Sequence, residues 1–142
     1  MKRTPLTRKT PLKRTRIKRN ATKKSKTQAY YKKKVVERFM AGYRGQKCAV
    51  CGTTEYTCAH HLLAKGSHPA HIISPENIIV LCPSHHLFSN HLAPHSKNQL
   101  AVDRFNEYVR HCRPDQWEWA QEHEWDTIKR NWKEAWEELN NE

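Results

Sequence analysis

The apolar residues before the first glycines follow a helical spacing. Between residues 28 and 40 they recur every four positions, which is the period of a helix with one apolar face. Gly42 and Gly45 follow and are expected to end the helix. The pattern predicts a leading helix within residues 28–46. Its apolar face consists of Tyr31, Val35, Val36, Phe39 and Met40.

A second helical region is predicted beyond Pro83. One helix would continue from there through about His91, and another would extend from about Asn98 to Cys112. Pro114 is expected to open a third helix at its first turn, where the missing N–H of proline costs nothing. The apolar face of the second helix consists of Leu100, Ala101, Phe105, Val109 and Cys112.

The last segment carries an amphipathic stripe. Its apolar residues are spaced by 3, 4, 4 and 3 positions and acids lie opposite, which predicts a helix that packs in the domain core. A homodimer interface is the alternative. Residues 103–142 hold 11 acids against 6 bases, which disfavours stacking on nucleic-acid bases. The stripe consists of Trp125, Ile128, Trp132, Trp136 and Leu139.

Between the helical regions, residues 46–82 combine short apolar stretches with glycine, proline, cysteine and histidine. This composition predicts a loop and hairpin region, so the fold class is α+β with flanking helices. A metal ion is expected to stabilise it, because so short a chain buries only a modest core. The longest strong apolar run, residues 78–82, is too short to span a membrane, and no apolar leader follows the basic N-terminus.

The charge is concentrated at the N-terminus. Residues 1–34 hold 15 of the 26 Lys and Arg and no acid, whereas the other 108 residues carry a net charge of −3. We expect residues 1–27 to be a disordered arm that binds nucleic-acid phosphates, with a solubilising or membrane-surface tail as the alternative. Lys65, in the loop between His61 and Asn77, could contact a phosphate, although a solvated lysine is the favoured interpretation. The arm's candidates are Lys2, Arg3, Arg8, Lys9, Lys13, Arg14, Arg16, Lys18 and Arg19.

Two half-sites with metal-ligand spacing lie about thirty residues apart. Cys48 and Cys51 are separated by two residues, and so are Cys82 and His85. This spacing lets both members of each pair reach one tetrahedral ion, so a structural Zn²⁺ is predicted. A disulfide or redox pair is the alternative, as is replacement of His85 by Cys58. Otherwise Cys58 and Cys112 are expected to be ordinary buried thiols.

Histidines form a second cluster. Eight of the ten lie between positions 60 and 95, and three of them, His60, His61 and His86, remain as candidates once His85 is assigned to zinc. Neighbouring side chains on a strand point to opposite faces, so only one of His60 and His61 is expected to bind a given ion. The remaining histidines are expected to be surface or loop residues without a role. They are His68, His71, His95, His111 and His123.

These residues carry a family resemblance. Cys48-x2-Cys51, Ala59-His60-His61-Leu62, Glu76-Asn77 through Cys82, and then His85-His86 resemble the HNH endonuclease superfamily over residues 47–96. The resemblance implies a ββα-metal core with a zinc knuckle. The basic leader and the tryptophan-rich, acidic helical tail, residues 97–142, are similar in layout to phage recombination endonucleases of the NinG/Rap kind.

By position, the resemblance implies a role for each residue of the second cluster. His60 and His86 would bind a catalytic Mg²⁺ or another divalent ion such as Mn²⁺, and His61 would be the general base. Asn77 would brace the loop between the strands. The third ligand is left open between Asn90, His91 and water. The alternatives are a packed strand histidine for His61, a turn cap for Asn77 and a zinc ligand for His86.

The function implied is that of a metal-dependent DNA endonuclease from a phage or prophage. It would act in the bacterial cytoplasm and leave 5′-phosphate and 3′-hydroxyl ends, with branched recombination or replication intermediates as the favoured substrate. DNA is the expected partner, and a homodimer through the tryptophan-rich helix is a further expectation. A catalytically silent zinc module that binds nucleic acid, and a packaging or structural phage factor, are the alternatives.

Overall fold

The computed structural model describes residues 27–141, so the predicted arm and its nine basic candidates lie outside the described residues, apart from Thr27. Helix α1, Gln28–Ala41, confirms the first predicted helix. The Thr27 hydroxyl accepts a hydrogen bond from the backbone N–H of Tyr30 at 3.4 Å, which satisfies a donor that the first turn leaves unpaired.

The predicted hairpin is present and is small. Strand β1, Cys58–His61, pairs antiparallel with strand β2, Ile78–Leu81, so that His60 lies opposite Ile79. Every residue of β2 is buried, since the sheet is covered by helices. The loop between the strands contains two single turns of 3-10 helix, Pro69–His71 and Pro75–Asn77.

The prediction of a helix from Pro83 through about His91 is wrong about its length. Only one turn of π-helix forms, Ser84–Phe88. It ends because the Ser89 hydroxyl accepts hydrogen bonds from the backbone N–H groups of His91 and Leu92, both at 3.1 Å, in place of helical carbonyl groups. Phe88 is 73% exposed, so little apolar burial would favour a longer helix here.

The next two helices confirm their predictions. Helix α2, Gln99–Cys112, begins after Asn98, whose side chain caps the first turn, and helix α3, Pro114–Glu122, begins with its proline. Three of the five predicted α2 residues are buried: Ala101, Phe105 and Val109. The prediction is wrong for Leu100 and Cys112, which are exposed.

The predicted stripe is helical only in its second half. Helix α4, Trp132–Asn141, packs against α1, whereas Trp125 is 84% exposed and Ile128 is 66% exposed, both outside any helix. The side chain of Gln28 ties the two helices together, because its Oε1 accepts from the N–H of Trp132 at 2.8 Å and its Nε2 donates to Asn131 at 2.9 Å. The core role is therefore confirmed for Trp132, which is buried.

Two buried clusters hold the hairpin between the helices. One joins the strands to α2 and contains Cys48, Ile79, Leu81, Cys82, Phe105 and Val109. The other joins α1, α4 and the inter-strand loop and contains Val35, Ile72, Trp132 and Ala135. Within residues 27–141, no helix is long and apolar enough to cross a membrane.

Candidate functional site

The four predicted zinc ligands lie together. One ligand atom from each of Cys48, Cys51, Cys82 and His85 is within 4.8 Å of all the others. The Sγ atoms of Cys51 and Cys82 are 3.8 Å apart, and Nδ1 of His85 is 3.3 Å from the Sγ of Cys82. Three thiols and one imidazole at tetrahedral spacing can hold a metal ion such as zinc. Cys58 does not belong to this group, and all five cysteines are free thiols rather than disulfides.

A tight turn brings the first two cysteines together. The N–H of Gly52 donates to the carbonyl of Cys48 at 2.9 Å, and Gly52 has a φ of +74°, a conformation that glycine adopts without strain. Burial raises the pKa of Cys48, but backbone N–H donors, led by those of Cys51 and Cys82, outweigh it and lower the pKa to about 6. Such a thiol readily gives the thiolate that a metal ion requires. The hydroxyl of Tyr108 donates to the carbonyl of Ala49 at 2.6 Å and ties the turn to α2.

The single turn of π-helix separates two adjacent histidines. His85 turns toward the cysteines, whereas the ring of His86 lies 5.3 Å from the ring of His60, measured between centroids. The backbone N–H of His86 donates to the carbonyl of Cys82 at 2.9 Å, which fixes this turn against the end of β2. One short segment thus contributes to two different clusters. The alternative prediction, His86 as a zinc ligand, is wrong, because His86 lies in the histidine cluster.

The second cluster consists of His60, His86 and His95, whose ligand nitrogens lie within 4.8 Å of one another. His95 was expected to be a surface or loop residue without a role; it does lie exposed on a loop, but its ring is the third member of this cluster. The predicted alternative His91 is not part of the group, because the chain leaves the helical path after Phe88. The N–H of His95 donates to the carbonyl of His86 at 3.3 Å, and this contact returns the loop to the cluster.

Asn90, the other predicted candidate for the third ligand, lies on the exposed part of the same loop. Its carbonyl accepts a hydrogen bond from the side chain of Asn98, the α2 cap, at 3.2 Å. No spacing rule would have found His95, since it lies nine residues after His86 in a segment without regular structure.

Two of the three rings, those of His60 and His86, have a pKa shifted toward the neutral form. Burial, followed by the nearby rings of His95 and His86, lowers the pKa of His60 to about 3. Burial also lowers the pKa of His86. Neutral imidazole is the form that coordinates metal. The three nitrogens therefore fit a divalent ion that prefers imidazole, a class to which Zn²⁺, Ni²⁺ and Fe²⁺ belong, more closely than Mg²⁺ or Mn²⁺, which prefer oxygen.

His61 faces away from these rings, as strand alternation predicts. Its Nε2–H donates to the carbonyl oxygen of Ile72 at 2.9 Å. Its Nδ1 is buried and has no hydrogen-bond partner among residues 27–141. Burial lowers the pKa of His61, and the charge of Lys65 adds to this effect, although the Ile72 carbonyl opposes it. The result is a neutral ring with an unpaired basic nitrogen.

Asn77 is completely buried and links the two ends of the inter-strand loop. Its Oδ1 accepts from the N–H of Leu63 at 2.7 Å, and its Nδ2 donates to the carbonyls of Leu63 at 3.2 Å and His71 at 2.8 Å. The bond to His71 fixes the residue that precedes Ile72. It thereby holds in place the Ile72 carbonyl that accepts from His61. The asparagine does more than cap a turn.

The three clustered histidines and His61 all border one cleft of about 420 Å³. The rings of the His60, His86 and His95 cluster lie on it together with His61, and the exposed Lys65 lies at its edge. A cluster of three imidazole rings, the ring of His61 and a cation thus border one space large enough for a phosphate group and water.

No protein-family model, no curated protein and no solved structure matches the chain at a significant level.

Proposed function

We propose that this chain is a metal-dependent DNA endonuclease of the HNH type. The observation that carries the proposal is the placement of His61. A ring whose Nε2–H is fixed by the Ile72 carbonyl and whose Nδ1 is unpaired lies on the same cleft as a three-histidine cluster. One histidine with a nitrogen that makes no hydrogen bond to the described residues thus borders the same cleft as a cluster that could hold an ion.

The chemistry assigned to His61 is removal of a proton from water. The water oxygen forms a bond to phosphorus, the bond from phosphorus to the 3′ oxygen breaks, and Nδ1 of His61 receives the water's proton. The departing 3′ oxygen takes a proton from solvent, so the products carry 5′-phosphate and 3′-hydroxyl ends. A depressed pKa keeps His61 neutral and ready to accept a proton at neutral pH.

The other residues bind and orient. His60, His86 and His95 would hold the divalent ion, which when bound stabilises negative charge on the phosphate and on the leaving oxygen. Lys65, which lines the cleft, would contact a phosphate. Among candidate ions, the three-nitrogen set favours Zn²⁺, Ni²⁺ or Fe²⁺ over Mg²⁺. The Cys48, Cys51, Cys82 and His85 cluster would hold structural Zn²⁺.

DNA is the proposed substrate, with the basic residues 1–27 as its sequence-independent contact. Branched recombination or replication intermediates in a phage-infected or prophage-bearing bacterial cytoplasm remain the favoured context. A homodimer also remains a proposal, but its interface would have to lie away from Trp132, which packs against α1 within the chain. Within the predicted stripe, Trp125 and Ile128 are the exposed residues that could form it.

The test is cleavage of an end-labelled four-way junction and of a linear duplex made from the same arms. Reactions contain Mg²⁺, Mn²⁺, Co²⁺ or Ni²⁺ in turn. We expect ion-dependent cleavage that falls by about 100-fold or more in His61→Ala, the scale of a lost general base. The matched control is His111→Ala, an exposed histidine in the last turn of α2, which should leave cleavage unchanged. Tight DNA binding without cleavage under every ion would favour the silent zinc module instead.

A further inference from the structure

Cys58 lies between the two clusters without belonging to either. It is the first residue of β1 and is paired with Leu81 of β2. Because side chains alternate along a strand, Cys58 projects to the same side of the sheet as His60. Its Sγ is 3.3 Å from Nδ1 of His86 and 3.6 Å from the carbonyl oxygen of Leu81.

The direction of these two hydrogen bonds follows from the number of protons available. The Leu81 carbonyl can only accept, so the single S–H proton of Cys58 is donated to it. The sulfur must then accept a hydrogen bond from His86. This requires the proton of the His86 ring to be on Nδ1 and leaves Nε2 as the free donor atom.

We propose that Cys58 is a positioning residue that fixes the tautomer and the orientation of His86, so that Nε2 is available to a divalent ion. The inference rests on the proposed function in one respect, that the cluster of His60, His86 and His95 binds such an ion. A metal-binding histidine ordinarily donates its second ring N–H to a carbonyl, a carboxylate or water. Here a thiol, itself anchored to a strand carbonyl, takes that place.

The arrangement also connects the two clusters. The carbonyl of Leu81 accepts the hydrogen bond from the thiol, and Leu81 immediately precedes Cys82. Cys82 and His85 belong to the zinc-type cluster, the group formed by Cys48, Cys51, Cys82 and His85, and His86 immediately follows His85. Cys58 therefore touches the second cluster on one side and the backbone leading to the first on the other. A shift of the Cys82 end of β2 would move the acceptor that orients the thiol and, through it, the ring of His86.

The experiment uses the full zinc-loaded chain titrated with Co²⁺ by calorimetry and by absorption. Binding to histidine nitrogens gives weak d–d bands, whereas replacement of zinc at the cysteines would give an intense thiolate-to-cobalt band, so the two sites are distinguished. In Cys58→Ala we expect the Co²⁺ affinity of the histidine cluster to fall by about 10- to 100-fold. Cys58→Ser, which keeps a donor and an acceptor, should recover most of it. The control Cys112→Ala, at an exposed position, should match the wild type.

A second readout reports the tautomer without any ion in the histidine cluster. Long-range nitrogen–proton correlation spectra of the ¹⁵N-histidine protein should show His86 protonated on Nδ1 in the wild type and in Cys58→Ser. In Cys58→Ala the two tautomers should mix.

Three results would overturn the proposal: wild-type His86 protonated on Nε2, wild-type Co²⁺ affinity in Cys58→Ala, or loss of zinc along with Co²⁺ in Cys58→Ser. If the wild-type chain binds no Co²⁺ at its histidines, the metal site of the proposed function fails as well. That outcome differs from the one in which wild type and Cys58→Ala bind Co²⁺ equally, which overturns the role of Cys58 alone.

Discussion

Replacement of Asn77 by alanine removes three hydrogen bonds from a completely buried position. A typical intramolecular hydrogen bond contributes about 1 kcal/mol net, and a buried donor left unpaired costs about 1–3 kcal/mol. The N–H of Leu63 is left without its partner, and the carbonyls of Leu63 and His71 each lose a donor. The free energy of unfolding should therefore fall by about 3–5 kcal/mol, a large part of the ~5–15 kcal/mol typical of a domain.

Urea unfolding of the zinc-loaded chain, followed by tryptophan fluorescence, measures this loss. The matched control is Asn140→Ala, because both hydrogen bonds of the Asn140 side chain, donated to the Trp136 carbonyl and accepted from Arg38, lie at the exposed surface. Its effect should stay within about 0.5 kcal/mol. A loss below about 1 kcal/mol in Asn77→Ala would refute the bracing role. In the folded variant, cleavage should also fall, because the loop that carries the Ile72 carbonyl is no longer held at His71.

Four further predictions concern metal, pH and packing. Cys51→Ser should lose zinc, seen by elemental analysis, and lower the Tm; retained zinc would contradict the Cys3His cluster. His95→Ala should weaken Co²⁺ binding on calorimetry while His91→Ala should not, and equal effects would argue against His95 as the third ligand. Because burial lowers the pKa of His61 below its ordinary 6.5, the base form predominates at pH 7 and the acid limb of the cleavage rate should be centred below pH 6.5; a limb centred above pH 7 would be inconsistent with this base. Trp132→Ala should cost about 3–5 kcal/mol of stability without changing the sedimentation coefficient, and dissociation of a dimer would instead place an interface there.

The spacing of apolar residues predicted the helices whose first turns are capped by a neighbouring side chain. Helix α1 begins at the Thr27 cap and α2 at the Asn98 cap, and both apolar faces follow from spacing along the chain. The opposite orientations of His60 and His61 follow from strand geometry alone. The zinc-type cluster was predictable for the same reason, since each of its halves is a pair two residues apart and only their meeting depends on the fold.

The segments that were predicted incorrectly are controlled by contacts between distant residues. The apolar spacing of Trp125 and Ile128 is helical, but the chain there is held by loop histidines, because His68 hydrogen-bonds the carbonyl of Glu124 at 2.7 Å and His71 contacts Asp126 at 2.9 Å. These two histidines were expected to have no role, and the structure gives them a tethering one.

His95 was missed for a related reason. The family resemblance implies a further ligand about one helical turn after His86, which assumes that the helix continues. The Ser89 hydroxyl ends the helix instead, and the loop returns through the hydrogen bond between the N–H of His95 and the carbonyl of His86. Cys58 was treated as an ordinary thiol because its position on the face of His60 gains meaning only when His86 packs over that face.

The most direct measurement of phosphodiester hydrolysis is nicking of a supercoiled plasmid followed by treatment with DNA ligase. Ligase reseals a nick only where a 5′-phosphate faces a 3′-hydroxyl, so resealing reports which phosphorus–oxygen bond was broken. We expect the wild-type chain with a divalent ion to produce nicks that ligase reseals, and His61→Ala to produce essentially none. Nicks that ligase cannot reseal, or nicking by His61→Ala at the wild-type rate, would contradict hydrolysis with His61 as its base.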